Sequence, residues 1–278
     1  MTKIDAHQHF WSYSAEEYPW ITGDAMSPIR RSFSPDDLAA EQSQHGFAGS
    51  IAVQARQSMA ESRWLLQLAE KHPRIRGVVG WVDLRGESLE DELSELSPHP
   101  TFVGVRHVVQ DEPDDRFMLL PEFVEGIGRL KAHQLTYDLL VFSKQLPAAI
   151  ELVRQFPEQP FVLDHIAKPF IKDGVLRPWY RQIEELAARP NVYCKVSGMV
   201  TEAVWRGWNK RDFGPYLDVV FDAFGPDRIM FGSDWPVCLL SADYGEVVDL
   251  VQEYIKGLDE DTQSKILGGN ALRFYGLE

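Results

Sequence analysis

Along the chain, short apolar runs rich in Val, Ile and Phe alternate with longer stretches whose apolar positions recur every three to four residues. The short runs fall at 4–10, 50–55, 76–83, 102–109, 135–141, 161–166, 191–197 and 229–234. Their length and β-branched content predict strands. The stretch 58–72 places Trp64, Leu65, Leu68 and Ala69 on one stripe, and 121–133, 146–156, 179–188 and 213–224 repeat the helical period. Turn residues punctuate the series, as in Gly225-Pro226-Asp227 just ahead of the eighth run. Eight strands, one per roughly 35 residues with helical crossovers between, predict an α/β fold of the (β/α)8 TIM-barrel class. Residues 1–278 form a single domain in this reading, with no linker. The runner-up, a doubly wound open sheet, lacks the G-x-G-x-x-G turn after any strand.

The barrel expectation says where chemistry belongs, because active sites of this fold form at the C-terminal ends of the strands. His7 and His9 end the first strand. Alternate residues of a strand point the same way, so the two imidazoles can converge on one cation or one reacting group. Arg106 and His107 end the fourth strand, Tyr137 and Asp138 lie on the fifth, and His165 ends the sixth. Lys195 and Ser197 end the seventh and Asp234 the eighth. Since the eighth strand closes beside the first, Asp234 is expected next to the histidine pair. Arg106 and His107 cannot both face inward without a bulge, and Arg106 is preferred. Two irregular loops, 11–33 and 200–211, sit at the same face.

Composition narrows the partners. A net charge of −14 argues against nucleic acid and anionic membrane, both of which call for basic surface. No apolar run approaches the roughly 20 residues of a membrane span. The first strand begins at Ile4, so no secretory leader is expected. Two cysteines, Cys194 and Cys238, in no metal or redox spacing, fit a reducing, cytoplasmic setting. Nothing in the pattern fixes an oligomeric state.

Three separated strings carry a resemblance: D-A-H-Q-H-F-W near the start with Y-P-W-I shortly after, V-L-D-H-I-A-K-P in the middle, and M-F-G-S-D-W-P-V near the end. Along essentially the whole chain the sequence resembles the amidohydrolase superfamily, in the branch of sugar-lactone hydrolases. The resemblance implies that His7, His9 and Asp234 form a metal-binding or water-activating centre, with His165 beside them. The two-metal pattern of the superfamily has a bridging lysine and further histidines on middle strands. The fifth strand here offers Tyr137 and Asp138 instead, which leaves a mononuclear or metal-free site. The branch varies in metal dependence.

A lactone is an ester, so its opening needs an activated water, a polarised carbonyl and a protonated leaving oxygen. Two neutral imidazoles and a carboxylate suit one Zn²⁺, which acidifies bound water and acts as a Lewis acid. Asp234 is the expected general base and later proton donor. His7, His9 and His165 hold the metal or, without it, hydrogen-bond the carbonyl oxygen. Expected substrate contacts are Arg106, Tyr137, Gln54, Trp11 and Lys195. The competing readings are a structural arginine for Arg106, a solvated strand end for Lys195 and a core aromatic for Trp11. His45, His72, His99 and His133 are expected at the surface, and 111–115 as a solvated acidic loop. The leading expectation is hydrolysis of an aldonolactone, such as L-fuconolactone or L-rhamnonolactone, to its aldonic acid. A carboxylated or sulfonated lactone would want a denser cluster of cations than Arg56, Arg106, Lys168 and Lys195 supply. A metal-dependent decarboxylase of the same superfamily is the other alternative.

Overall fold

The computed structural model describes residues 2–277. Eight parallel strands form one sheet in chain order: β1 (Lys3–Gln8), β2 (Phe47–Val53), β3 (Ile75–Gly80), β4 (Phe102–His107), β5 (Thr136–Leu139), β6 (Phe161–Leu163), β7 (Val192–Val196) and β8 (Ile229–Phe231). The end of β8 returns to β1 through Asp234 N–H to His7 O at 2.8 Å and His9 N–H to Trp235 O at 2.7 Å. The barrel is thereby nearly closed. Helices alternate with the strands as α1 (Pro35–Gln44), α2 (Met59–Lys71), α3 (Leu89–Leu96), α4 (Pro121–Leu130), α5 (Leu146–Gln155), α6 (Trp179–Ala187), α7 (Lys210–Phe224) and α8 (Tyr244–Ile255). The short α9 (Glu260–Ser264) and α10 (Asn270–Phe274) follow. The sequence period marks α2 and α4 to α7; the structure adds the rest. None of the described helices is long and apolar enough to cross a membrane.

Two apolar clusters separate the layers. A large one fills the space between sheet and helices, and a small one fills the bore with Ile4, Ala6, Ile51, Val53, Val79, Val103, Val162 and Met230. Ala271 and Tyr275, at the end of α10, close the bore from the N-terminal side of the strands. Several predicted strands overrun the observed ladder at its C-terminal end. Residues 9–10, 164–166 and 232–234 lie beyond β1, β6 and β8 and carry the polar groups into the mouth.

The first strand has an irregularity that matters for the chemistry. Asp5 pairs with Ser50 and Gln8 with Ala52, so β1 spends one residue more than β2 between these points. This bulge breaks the alternation of faces. Ile4 and Ala6 line the bore, Asp5 turns outward to Ser233, and His7 still enters the bore immediately after Ala6.

Candidate active site

The bulge of β1 and the loop after β8 bring four sequence-predicted groups together. Asp234 Oδ1 lies 3.3 Å from His9 Nε2, 3.9 Å from His7 Nε2 and 3.8 Å from His165 Nε2. The two Nε2 atoms of His7 and His9 face each other at 3.3 Å. Their tautomers follow from the partners of the ring atoms. His9 Nδ1 donates to Val53 O at 2.7 Å; His7 Nδ1 lies 3.2 Å from both Asp164 Oδ1 and Lys195 Nζ, but Arg106 Nη1, which can only donate, faces His7 Nε2 at 3.3 Å. Both Nε2 atoms therefore keep their lone pairs and aim them, with a carboxylate oxygen, at one point. Burial pushes the His7 and His165 imidazoles well below their usual range, keeping them neutral. Burial works against the Asp234 carboxylate, but His165 and His9 outweigh it and hold Asp234 below its usual range.

This cluster of acceptors is short of a positive charge. A zinc ion with bonds of about 2.0–2.2 Å spaces tetrahedral donors roughly 3.3–3.6 Å apart. Two of the observed separations, 3.3 Å each, match that spacing, and the third, His7 Nε2 to Asp234 Oδ1 at 3.9 Å, is a few tenths of an ångström longer. A second group with metal-ligating atoms, His7, Asp164 and His165, fits less well. Asp164 is already engaged by Lys195 Nζ at 3.0 Å and Arg106 Nη1 at 3.0 Å.

Asp164 escaped the sequence reading as a site residue, although it adjoins His165. It can share the site with its neighbour because β6 ends in a left-handed turn. His165, Ile166, Ala167 and Lys168 all have positive φ, from 47° to 60°. Such residues cost on the order of 1–2 kcal/mol each. The turn is held by Trp179 Nε1 to Ile166 O at 2.7 Å and by Ser143 Oγ to Ala167 O at 2.9 Å. Asp234 also has positive φ, 58°. Two glycines make room: a Cβ on Gly232 would sit 2.7 Å from His7 Cβ, and one on Gly198 2.4 Å from His165 Nδ1.

Four expected substrate contacts are corrected. Lys195 is neither a solvated strand end nor a pocket residue. It is fully buried beneath His7, 2.5 Å from Asp138 Oδ2 and 3.2 Å from His7 Nδ1. Tyr137 points out of the barrel and packs against Phe123 and Phe161, because its neighbour Asp138 takes the inward face. Gln54 is buried and donates through Nε2 to Arg106 O, while its backbone carbonyl accepts from Arg106 Nη2. It positions Arg106. Trp11 is a core aromatic of the 11–33 loop, with Nε1 donating to Arg31 O and its ring against Trp20 and Phe33. Arg106 does face the mouth. His107 turns the other way, bonded to Glu112 at 2.8 Å and stacked on Phe117.

Above the cluster opens a cavity of about 1100 Å³. The 11–33 loop forms one wall with Trp20 and Met26, and the segments after β2, β4 and β6 supply Arg56, Gln110 and Lys168. The loop is fastened by Glu17 to Arg56 at 2.7 Å and by Tyr18 Oη donating to Glu61. Asp111 and Glu112, expected in a solvated loop, line the same cavity. The lining carries Glu16, Glu17, Asp111, Glu112 and Asp234 against Arg56, Arg106 and Lys168.

Comparison with known proteins agrees with this geometry. The amidohydrolase family profile matches residues 4–277. An L-fucono-1,5-lactonase of Burkholderia multivorans is 43% identical over 286 residues, covering 99% of this chain and 96% of that protein. A second L-fucono-1,5-lactonase, from Burkholderia ambifaria, is 36% identical over 280 residues with 99% and 96% covered. A crystal structure of a Burkholderia multivorans amidohydrolase with bound zinc matches at a TM-score of 0.96 and 43% identity, over 100% of both chains.

Proposed function

The chain belongs to the amidohydrolase family, and from that premise we propose that it hydrolyses a neutral sugar-derived lactone to its aldonic acid. The observation that carries this reading is the convergence of His7 Nε2, His9 Nε2 and Asp234 Oδ1 at the floor of a cavity large enough for a sugar ring. In this reading one divalent ion, zinc by donor type and spacing, is held by these three atoms. Bound there, it would supply Lewis acidity toward the ester carbonyl and acidify a water.

The protein's own groups do the rest. Asp234, kept ionised, accepts the proton of the attacking water and returns it to the ring oxygen as the acyl–oxygen bond breaks. His165, 3.8 Å from Asp234 Oδ1 and bonded through Nδ1 to Ser197 Oγ at 2.9 Å, orients that carboxylate. Arg106 presents a fixed positive charge at the cavity floor, with Nη1 and Nη2 already committed to Asp164 and Gln54 O. It acts on a carbonyl or hydroxyl of the substrate by its field and position. Five carboxylates against three cations in the lining oppose a doubly anionic lactone, whose buried charges would lack partners. Both cysteines are buried free thiols, in keeping with a reducing, cytoplasmic setting.

The test is a pH-indicator assay of the purified protein against a panel of aldonolactones, each with and without chelator. Acid release on one stereochemical series, lost on chelation and restored by zinc, is the expected result. A silent panel, with turnover of a carboxylated lactone or release of carbon dioxide instead, would overturn the substrate class.

A further inference from the structure

Beneath His7 the bore holds a closed column of buried polar groups that ends on the last described helix. Asp164 bridges Arg106 and Lys195, each at 3.0 Å. Lys195 Nζ also reaches Asp138 Oδ2 at 2.5 Å and His7 Nδ1 at 3.2 Å. Asp138 in turn accepts from Tyr275 Oη, 3.2 Å from Oδ1 and 3.0 Å from Oδ2. Tyr275 follows α10 (Asn270–Phe274) and enters the bore from the end opposite the mouth. The column carries two cations and two carboxylates, all buried, so each charge relies on these neighbours alone.

Lys195 has three protons to place and faces Asp138, Asp164 and His7 Nδ1. Were it to donate to His7 Nδ1, that ring would hold its proton on Nε2, where it would block a cation. Asp138 draws Lys195 away from this alternative, and the Tyr275 hydroxyl is the other side-chain donor that fixes Asp138. We propose that Tyr275 is a positioning residue for the site. Through Asp138 and Lys195 it holds His7 with its proton on Nδ1 and its lone pair on Nε2, so the segment that plugs the bottom of the barrel sets the affinity of its top for a cation.

The inference rests on the reading of His7 and His9 as cation ligands, and its test separates the two. The metal-free full chain is titrated with Zn²⁺ in competition with a chromogenic chelator, for the parent, Tyr275→Phe, Asp138→Asn and Phe274→Leu. Phe274 packs beside Tyr275 and against Tyr193 but makes no polar link to the column, and so controls for loosened packing. Removing a direct partner of a metal-bound histidine costs roughly 10–100-fold in affinity. Tyr275→Phe, acting through two further groups, is expected to weaken zinc by roughly threefold to tenfold. Asp138→Asn is expected to weaken it more, and Phe274→Leu to leave it unchanged. A Tyr275→Phe protein that binds zinc within twofold of the parent would overturn the proposal, as would an equal loss in Phe274→Leu. If the parent takes up no zinc, the cation reading fails, and ¹⁵N spectra of the imidazoles test the positioning role without metal. His7 is then expected to move from the Nδ1–H form toward a mixture in Tyr275→Phe, and an unchanged His7 signal would overturn the proposal.

Discussion

His7 stands between two polar regions of opposite electrostatic character. Below its ring, Asp164, Lys195 and Asp138 form ion pairs that satisfy one another, with Tyr275 as the terminal donor. Above it, His7 Nε2, His9 Nε2 and Asp234 Oδ1 are acceptors facing acceptors, and the donor Arg106 Nη1 approaches only from the side at 3.3 Å. The ion pairs of the lower region are fully buried and cannot borrow stabilisation from water, whereas the upper region reaches the cavity floor through His9, His165 and Asp234. A region whose charges are already matched serves to position. A region left short of positive charge, at the base of a cavity, is where a cation and a substrate complete the balance.

The largest expected effect breaks the upper region. Asp234→Asn removes the proton acceptor and a negative charge while keeping the shape of the side chain. Lactone hydrolysis should fall by roughly 10²–10⁴-fold. Thermal stability of the metal-free protein should fall only modestly, because Asn keeps the shape of the side chain and only the pull of His165 and His9 on the charge is lost. Turnover and melting temperature of the same preparation check both halves. Retained turnover would remove Asp234 from the proton-transfer role, and a collapsed melting temperature would make the upper cluster a structural one.

The same operation on the lower region should give the opposite pattern. Lys195→Met preserves much of the volume but leaves Asp138 and Asp164 without the charge they share. Breaking a buried pair on one side costs about 3–5 kcal/mol. Urea unfolding should register a loss of that order, and a loss below about 1 kcal/mol would mean that the column is not charge-matched as described. Lys195 is a member of the lower region that touches His7, through Nδ1 at 3.2 Å.

This contrast also explains which features were legible in the sequence. The barrel was, because buried parallel strands leave runs of Val, Ile and Phe whatever their neighbours do. His7, His9, His165 and Asp234 were, because polar residues at strand ends have one natural place to go in this fold. Lys195, Asp138 and Asp164 were misjudged or passed over for a physical reason. A charged residue in a strand is usually exposed, and only the partner on another strand reveals that it is not. Tyr137 and Asp138 differ by one position and so by one face, and register with Arg106 on β4 decides which is inward. The bulge in β1 and the left-handed turn after β6 leave no signature in the hydrophobic pattern, yet they bring His7 into the bore and Asp164 beside His165.

The smallest effect sharpens the comparison with a third buried carboxylate, one balanced by neutral donors. Glu61, at the start of α2, accepts from the backbone N–H groups of Ala55 and Arg56 at 2.9 Å each and from Tyr18 Oη at 3.0 Å. Burial outweighs these bonds and pushes its carboxyl up to about 7. A carboxyl raised above its unfolded value makes the folded state bind the extra proton, so its contribution is full below about 4.5 and is lost as pH climbs through about 7. Over that window the loss is on the order of 3 kcal/mol. Glu61→Gln keeps an acceptor for the backbone donors but cannot ionise. Its stability relative to the parent should therefore improve from pH 5 to pH 8 by an amount of that order, read from urea unfolding at the two pH values. Asp5 and Asp138, both raised to about 6, titrate in parent and variant alike and cancel in the difference. An unchanged difference between the two proteins would mean that these donors, with the Arg56 charge nearby, keep a buried carboxylate charged here, and that a directly paired cation is not what separates the column under His7 from the cluster above it.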